Sequence, residues 1–483
     1  MLGHRWSVRP FRLGAMLCCT LGSAALLGGC TSFSSDGGMN AVNTVVTPAL
    51  GVSVEKINAD EGSGDAAIRI QRLLKSPISA ESAVRVALLN NKALQAAYNE
   101  LGIAEAVMLQ ASLPPNPRFS LSGISTPVGL DIEARLVADI LALATLPARA
   151  DIAADRFRQA QFRAAEETLR IGAETRRSYY RAVAAQQRVA ALTQVSSAAD
   201  TSAKLAKQLG ETGAMNKLDQ AREDAFHADL VTQLAKARQQ ATSEREQLIR
   251  AVGLWDNDRV VKLPEGLPAL PKRPRSLVAV ETEALRRRVD LQIARIEADA
   301  LAKSYGLTKA TRFIDLLEVS GVSRTQHESS GSRGTGGGGE ANFQIPIFDF
   351  GEARLRQASE AYMQAVNRLT EKAVNVRSEA REAYQAYRSS YDIAEHYRSE
   401  VLPLRKTISD ETMLRYGAMQ VDVFSLLTEA RQRIAVNIAA IEAQRDFWLA
   451  ATNLDAAVVG GRVESSDGVA RAMDNSSGSM AGE

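Results

Sequence analysis

The chain has 483 residues, with 58 Lys and Arg against 56 Asp and Glu and a formal net charge of +2. A balance this even gives no electrostatic footprint for nucleic acid or another polyanion. Three cysteines and four histidines are scattered, with no HExxH, Cys cluster or carboxylate–His grouping, so no metal site, no cofactor and no enzyme chemistry is expected.

Arg5, Arg9 and Arg12 form a positive segment, and Leu13 to Leu27 is apolar or small and uncharged. That run of about 15 residues is too short for a stable bilayer-spanning helix, which needs about 20. It ends in Leu27-Gly28-Gly29-Cys30, the small-small-Cys pattern of a lipoprotein signal. Residues 1–29 therefore read as a signal peptide, cleaved before Cys30, which would carry the acyl (palmitate) anchor; an ordinary secretory signal with an incidental Cys is the alternative. Residue 31 is Thr rather than Asp, so no inner-membrane retention signal is visible, and outer-membrane lipid is the expected anchorage. Cys18 and Cys19 would leave with the signal, so no disulfide is possible. Residues 30–76, rich in Ser, Gly and Asn at the start, read as a lipid-anchored tether.

The remainder reads twice through one order of elements, residues 77–263 and then 276–457. In the first copy, Ser79 to Ser112 is Ala-rich and helical, started by Ser79 with Glu81 and Ser82 and stopped by Pro114, Pro115 and Pro117. Two strand-like runs follow, 118–125 and 129–138. Pro147 opens a helix of about 60 residues to Leu209, a reach of about 90 Å. The turn Gly210-Glu211-Thr212-Gly213 leads to a shorter helix ending near Gly253. Pro264, Pro268, Pro271 and Pro274 mark a linker. In the second copy a helix runs Ser276 to Tyr305, strands are expected at 312–323 and 340–349, and the Gly336–Gly339 tract between them reads as a flexible loop. A second long helix runs from Gly351 to about Tyr416, with Pro403 expected to kink or end it, and a shorter one spans 419–457. The two tips share three letters, Gly213-Ala214-Met215 and Gly417-Ala418-Met419. Met at both tips invites a copper-ligand reading, but a lone Met per turn is a packing residue far more often. Residues 461–483, bearing Ser, Gly and Asp, read as a disordered tail.

Apolar residues along the second long helix fall at Leu355, Ala358, Tyr362, Ala365, Leu369, Ala373, Val376, Ala380, Tyr384, Tyr387, Tyr391 and Ala394. Gaps of three and four throughout make a heptad-like seam for a partner helix. The strands alternate: Phe119, Leu121 and Gly123 oppose Ser120 and Ser122, and Ile132, Ala134 and Leu136 oppose Asp131, Glu133 and Arg135. Runs of this length can cross a bilayer as tilted barrel strands. Two soluble hairpins, each with one packed face, would show the same pattern. Four strands cannot close a barrel, because closure takes about eight. Open edges in lipid would strand backbone groups at several kcal/mol each. A spanning version must borrow strands from further copies.

These features resemble the outer-membrane efflux (TolC) protein family over about residues 78–457. The carriers are Asn90-Asn91-Lys92-Ala93-Leu94-Gln95, Leu113-Pro114-Pro115-Asn116-Pro117 and Pro346-Ile347-Phe348-Asp349-Phe350-Gly351. The resemblance implies a mainly α fold with a small β part: a homotrimer whose twelve-stranded barrel continues into an α-helical periplasmic barrel. It implies a passive exit duct served by a periplasmic adaptor and an inner-membrane pump, of the resistance-nodulation-division type for the lipid-anchored branch. Val421-Asp422-Val423 matches the family's aperture, so Asp422 is the candidate for an acidic ring, with Asp219 as its first-half counterpart. A second acid often follows in the family, where this chain has Ser425. Gly213, Ala214, Met215, Gly417, Ala418 and Met419 would be the adaptor-contacting tips. The bland readings are a helix N-terminal charge for either Asp and plain turn glycines. Small-solute efflux of drugs or metals, a one-step protein-secretion duct and a non-spanning periplasmic coiled-coil lipoprotein all remain open at this point.

Overall fold

The computed structural model describes residues 32–57, 63–127, 129–255, 261–276, 279–328 and 331–461. Cys30, the signal segment and the tail beyond residue 461 lie outside the described residues. The chain divides into two compact units, each discontinuous in sequence. One draws on residues up to Gly37, on Ala104–Ala154 and on Ala310–Glu352; the other holds the rest.

The first unit carries a four-stranded antiparallel sheet in the order β1 (Arg118–Thr126), β2 (Gly129–Asp139), β3 (Leu316–Glu328), β4 (Arg333–Gln344). The first hairpin lies where the alternation puts it. The second differs: β3 starts later than expected, and Gly336 to Gly339 lie inside β4 rather than in a loop, paired with Arg324 back to Gly321. Glycine brings no side chain to pack and has poor strand propensity, so composition hides the strand. The ladder is made by backbone groups, which glycine has like any residue. Gly129, at φ 157°, admits no side chain: a Cβ there would lie 1.9 Å from the His327 carbonyl oxygen.

The Pro346–Gly351 motif is a compact turn. Phe350 N–H donates to the Pro346 carbonyl at 2.8 Å, and Gly351 N–H donates to Asp349 Oδ1 at 3.0 Å. Phe350 and Gly351 both take positive φ, 49° and 71°, and a Cβ on Gly351 would meet the Arg312 carbonyl oxygen at 2.4 Å. Arg312 Nε donates to the Phe350 carbonyl at 2.9 Å. At the other end of this unit's sequence, Ser34 donates through its N–H and Oγ to Glu105 Oε1, at 2.6 and 2.5 Å.

The second unit is helical. Its segment 39–76, expected as a tether, instead carries α1 (Met39–Leu50) and α2 (Ser63–Leu74). Met39, Val42, Val46 and Leu50 recur at helical spacing and are buried in the core with Ile70 of α2. Four apolar side chains on one stripe dock a helix where polar flanks alone suggested a leash. The Ser79–Ser112 helix is broken into α3 (Ala80–Asn90) and α4 (Lys92–Ser112), with extended backbone at Asn91. Ser79 caps α3 as expected, its hydroxyl accepting from Ser82 N–H.

After a short α5 (Ile140–Ala144), α6 (Leu146–Glu211) and α7 (Lys217–Val252) form the first long pair. The Asn90-Asn91 motif serves the end of α7: Asn90 Nδ2 donates to Gly253 O at 2.6 Å and Asn91 Nδ2 to Ala251 O at 3.1 Å. Carbonyls left over at that helix end are thus satisfied from another segment. The second copy repeats the break, with α8 (Val280–Arg287) and α9 (Val289–Ala310), and then α10 (Glu352–His396). A single π-turn, Tyr397–Val401, precedes α11 (Leu402–Gly417), so Pro403 falls in a first turn where its missing N–H costs little. The last helix is α12 (Val423–Val459).

Every position of the expected seam on α10 is buried or half-buried. Its C-terminal half meets α12 in an aromatic knot. Phe447 lies 5.5 Å from the Tyr387 ring, 5.7 Å from Tyr391 and 5.1 Å from Trp448. The proline linker is strapped to this knot by Tyr391 Oη to Pro271 O at 3.1 Å and Trp448 Nε1 to Pro268 O at 3.0 Å.

Candidate functional site

The register of the sheet gathers most of its large apolar side chains on one face, though Ile124, Val137, Leu316 and Val322 fall on the other. Phe119 pairs with Leu136, Leu121 with Ala134, Ala138 with Val319 and Leu317 with Phe343, all on one face with Ile132 and Ala341. Phe119, Leu121 and Phe343 are 68%, 66% and 66% exposed, so this apolar face is open. Among the described strand residues, the one Lys, Arg, Asp or Glu on this face is Arg333, beside the end of the second hairpin. The opposite face carries ion pairs, one along β2 and the others between strands. Arg135 bridges Glu133 at 3.1 Å and Glu340 at 2.8 Å, Arg324 holds Asp131, and Arg118 holds Glu318. Strands β1 and β4 are the two edges. An apolar face in the open, a charged face opposite and two edges make the sheet amphipathic. Among the described residues no helix is long and apolar enough to cross a membrane.

The tips are the second feature. Both long pairs turn with the same hydrogen-bond pattern. After α6, Ala214 N–H reaches back to Leu209 O at 2.8 Å, with Gly213 between them at φ 74°. After α11, Gln420 N–H reaches back to Arg415 O at 2.8 Å, with Met419 at φ 57°. Gly213 therefore corresponds to Met419, and the shared Gly-Ala-Met letters fall two residues out of register. Gly417 is the last residue of α11 and Ala418 its cap, whereas Gly213, Ala214 and Met215 all follow the end of α6.

This register also corrects the pairing of the two acids. Asp422 is the N-cap of α12: its Oδ1 accepts from Ser425 N–H at 2.9 Å and from Ser425 Oγ at 2.6 Å. Its counterpart is Asn216, the N-cap of α7, which accepts from Asp219 N–H at 2.9 Å. Asp219 sits one turn in, opposite Ser425, taking a hydrogen bond from Asn216 Nδ2 at 2.7 Å and an ion pair from Arg222 at 3.3 Å. The Ser425 hydroxyl and N–H hold the Asp422 carboxyl below the usual aspartate range, so it stays ionised at neutral pH. Both aspartates are thus tied into helix starts, each a fixed negative charge at its tip. The N-cap role of Asn216 was missed in the sequence; its signal is an Asn immediately before a long periodic run.

Among the described residues no group of three or more His, Cys, Asp or Glu side chains could hold a metal ion.

No protein-family model matches the chain. It is 23% identical over 386 residues to the cobalt-zinc-cadmium resistance protein CzcC of Cupriavidus metallidurans, covering 78% of this chain and 89% of that protein. Solved channels share its fold at low identity. CusC aligns with a TM-score of 0.67 at 16% identity over 81% of this chain and 94% of its own. The outer-membrane channel OprN gives 0.68 at 17% over 84% and 94%. The Campylobacter jejuni CmeC outer membrane channel gives 0.68 at 16% over 90% and 95%. The chain thus has a relative spanning most of both lengths and shares its fold with solved outer-membrane channels.

Proposed function

We propose that the chain is the outer-membrane channel of a tripartite efflux system, a passive exit duct for small solutes such as drugs or metal ions. The observation that carries this reading is the four-stranded sheet with an open apolar face, an ion-paired face and two edges. Hydrocarbon accepts the first face, a water-filled lumen accepts the second, and sister subunits complete the edges. Three copies supply twelve strands, enough for a lumen, where two would give a barrel filled by its own side chains. The homotrimer is anchored further by acylated Cys30; the hold of Glu105 on Ser34, four residues downstream, supports a fixed point of departure for that anchor. The two tips, with their exposed turn residues, are the surface offered to a periplasmic adaptor. An inner-membrane pump supplies the energy. The name of the relative CzcC supports divalent cations among the cargoes.

Two measurements test this reading. Detergent-solubilised protein should have the mass of three chains and dissociate on heating. Cells lacking it should accumulate cobalt, zinc or cadmium, and recover on complementation. A monomeric, water-soluble protein would contradict the reading; accumulation of a drug instead of metal would reassign the cargo.

A further inference from the structure

The common register of the two tips exposes a second pairing. Glu223 follows the N-cap Asn216 by the same interval that separates Glu429 from the N-cap Asp422. Both carboxylates are buried in the helix seam, 1% and 7% exposed, and Oε1 of each has no hydrogen-bond partner. A buried carboxyl group with an unsatisfied oxygen is costly, the more so when ionised, and it occurs at the same place in both repeats.

The two are balanced differently. Glu429 of α12 is met by Arg405 of α11 at 3.2 Å, an ion pair inside one hairpin. The position on α6 equivalent to Arg405 is Ala199, which is buried and carries no charge. Glu223 takes only a hydroxyl from its own hairpin, Ser202 Oγ at 3.2 Å. The cation acting on it is Arg431 of α12, from the other repeat, whose guanidinium stacks 4.5 Å over the ring of Phe226. Phe226, Leu230 and Leu234 pack here with Leu192 and Ala199 of α6 and with Ile434 and Ile438 of α12. Three helices from both repeats therefore meet beside one poorly compensated carboxylate.

We propose that Glu223 is a proton-controlled latch: protonated, it remains in the seam and keeps the tip of α7 against α12, and ionised, it draws water in and lets them part. Burial pushes its carboxyl above the usual glutamate range; the Ser202 hydroxyl of α6 and Arg431 of α12 pull it part of the way back, and Asp224 on its own helix adds to the push. An exposed glutamate titrates at about pH 4.3. The packed seam has the higher value, so its stability is full below the exposed value and is lost as pH rises through the seam value. Glu429, held by Arg405 within its own hairpin, is not the mobile member. That this latch gates transport rests on the channel reading; the latch itself does not.

The test is an inter-label distance in the purified full-length protein, with spin labels on Lys217→Cys and Gln420→Cys, read between about pH 4 and pH 8. The expected result is a short, narrow distribution at the acidic end that lengthens and broadens as pH rises. Glu223→Gln should keep the short distance throughout, and Arg431→Gln, an exposed site, should move the midpoint up by about one pH unit. A pH-independent distance in the wild type, or a transition that survives in Glu223→Gln, overturns the proposal. Conductance of the same preparations separates the two claims. Protein that does not conduct but shows the Glu223-dependent transition sinks the channel reading and leaves the latch standing.

Discussion

Gly213 and Met419 occupy the same left-handed position of their turns, at φ 74° and 57°, yet only one of them is glycine. Met419 is 94% exposed, so no packing explains its choice. A side chain in that conformation costs about 1 kcal/mol. Gly213→Ala should therefore destabilise the end of α6 by about 1 kcal/mol, whereas Met419→Gly should stabilise the end of α11 by less, because glycine also loosens the unfolded chain. Amide exchange of the two last turns measures both; no change from either substitution would refute the shared register.

Asp422 combines a cap and a charge, and two substitutions divide them. Asp422→Asn keeps an acceptor for Ser425 N–H and removes the charge, so the helix start should survive while cation preference of the channel falls. Asp422→Ala should lose both. Ser425 holds the carboxyl low, so the cap's contribution is present above the ordinary aspartate pKa and lost as pH falls through the depressed value. Reversal potentials in a salt gradient read the charge, and amide exchange at the start of α12 reads the cap. Unchanged selectivity in Asp422→Asn would leave Asp422 as a cap alone.

The two faces of the sheet should respond oppositely to one charge. Leu136→Arg on the apolar face should cost about 2–4 kcal/mol of stability in bilayers if it lies near mid-membrane. Ser122→Arg, on the ion-paired face, should cost little and alter conductance. Urea unfolding from lipid vesicles compares them; similar costs would mean that the apolar face does not meet lipid.

Phe447 is 1% exposed at the centre of the aromatic knot. Phe447→Ala should cost about 3–5 kcal/mol and loosen the proline linker with it. Thermal unfolding of the solubilised protein gives the first, and protease cutting between residues 264 and 274 gives the second.

What could be read from residues alone follows from what side chains advertise. The seam from Leu355 to Ala394 was legible because apolar residues at threes and fours over that length keep to one face of a helix and of no strand. The first hairpin was legible because its two faces differ in polarity over most of its length, Ser120 and Ser122 against Phe119 and Leu121, and Asp131, Glu133 and Arg135 against Ile132, Ala134 and Leu136. Of strand β4 only the end from Glu340 to Gln344 was, because a run such as Gly336 to Gly339 pairs through its backbone and shows nothing in its side chains. α1 was missed because the polar residues before Met39 masked the stripe of Val42, Val46 and Leu50. At the tips the matching letters misled: hydrogen bonds, not identities, define a turn, and they align Gly213 with Met419. The buried pair Glu223 and Glu429 has a faint sequence signal, a glutamate at one fixed distance beyond each cap, and it acquires meaning only once burial is known.

Single-channel recording of the purified protein in planar bilayers tests the central claim, that the hairpins close a lipid-embedded ring with sister subunits. Discrete, ohmic conductance steps that change size in Ser122→Arg are the predicted result. A bilayer that stays silent, together with rapid labelling by aqueous reagents of cysteines placed at Leu121 and Phe343, would contradict it.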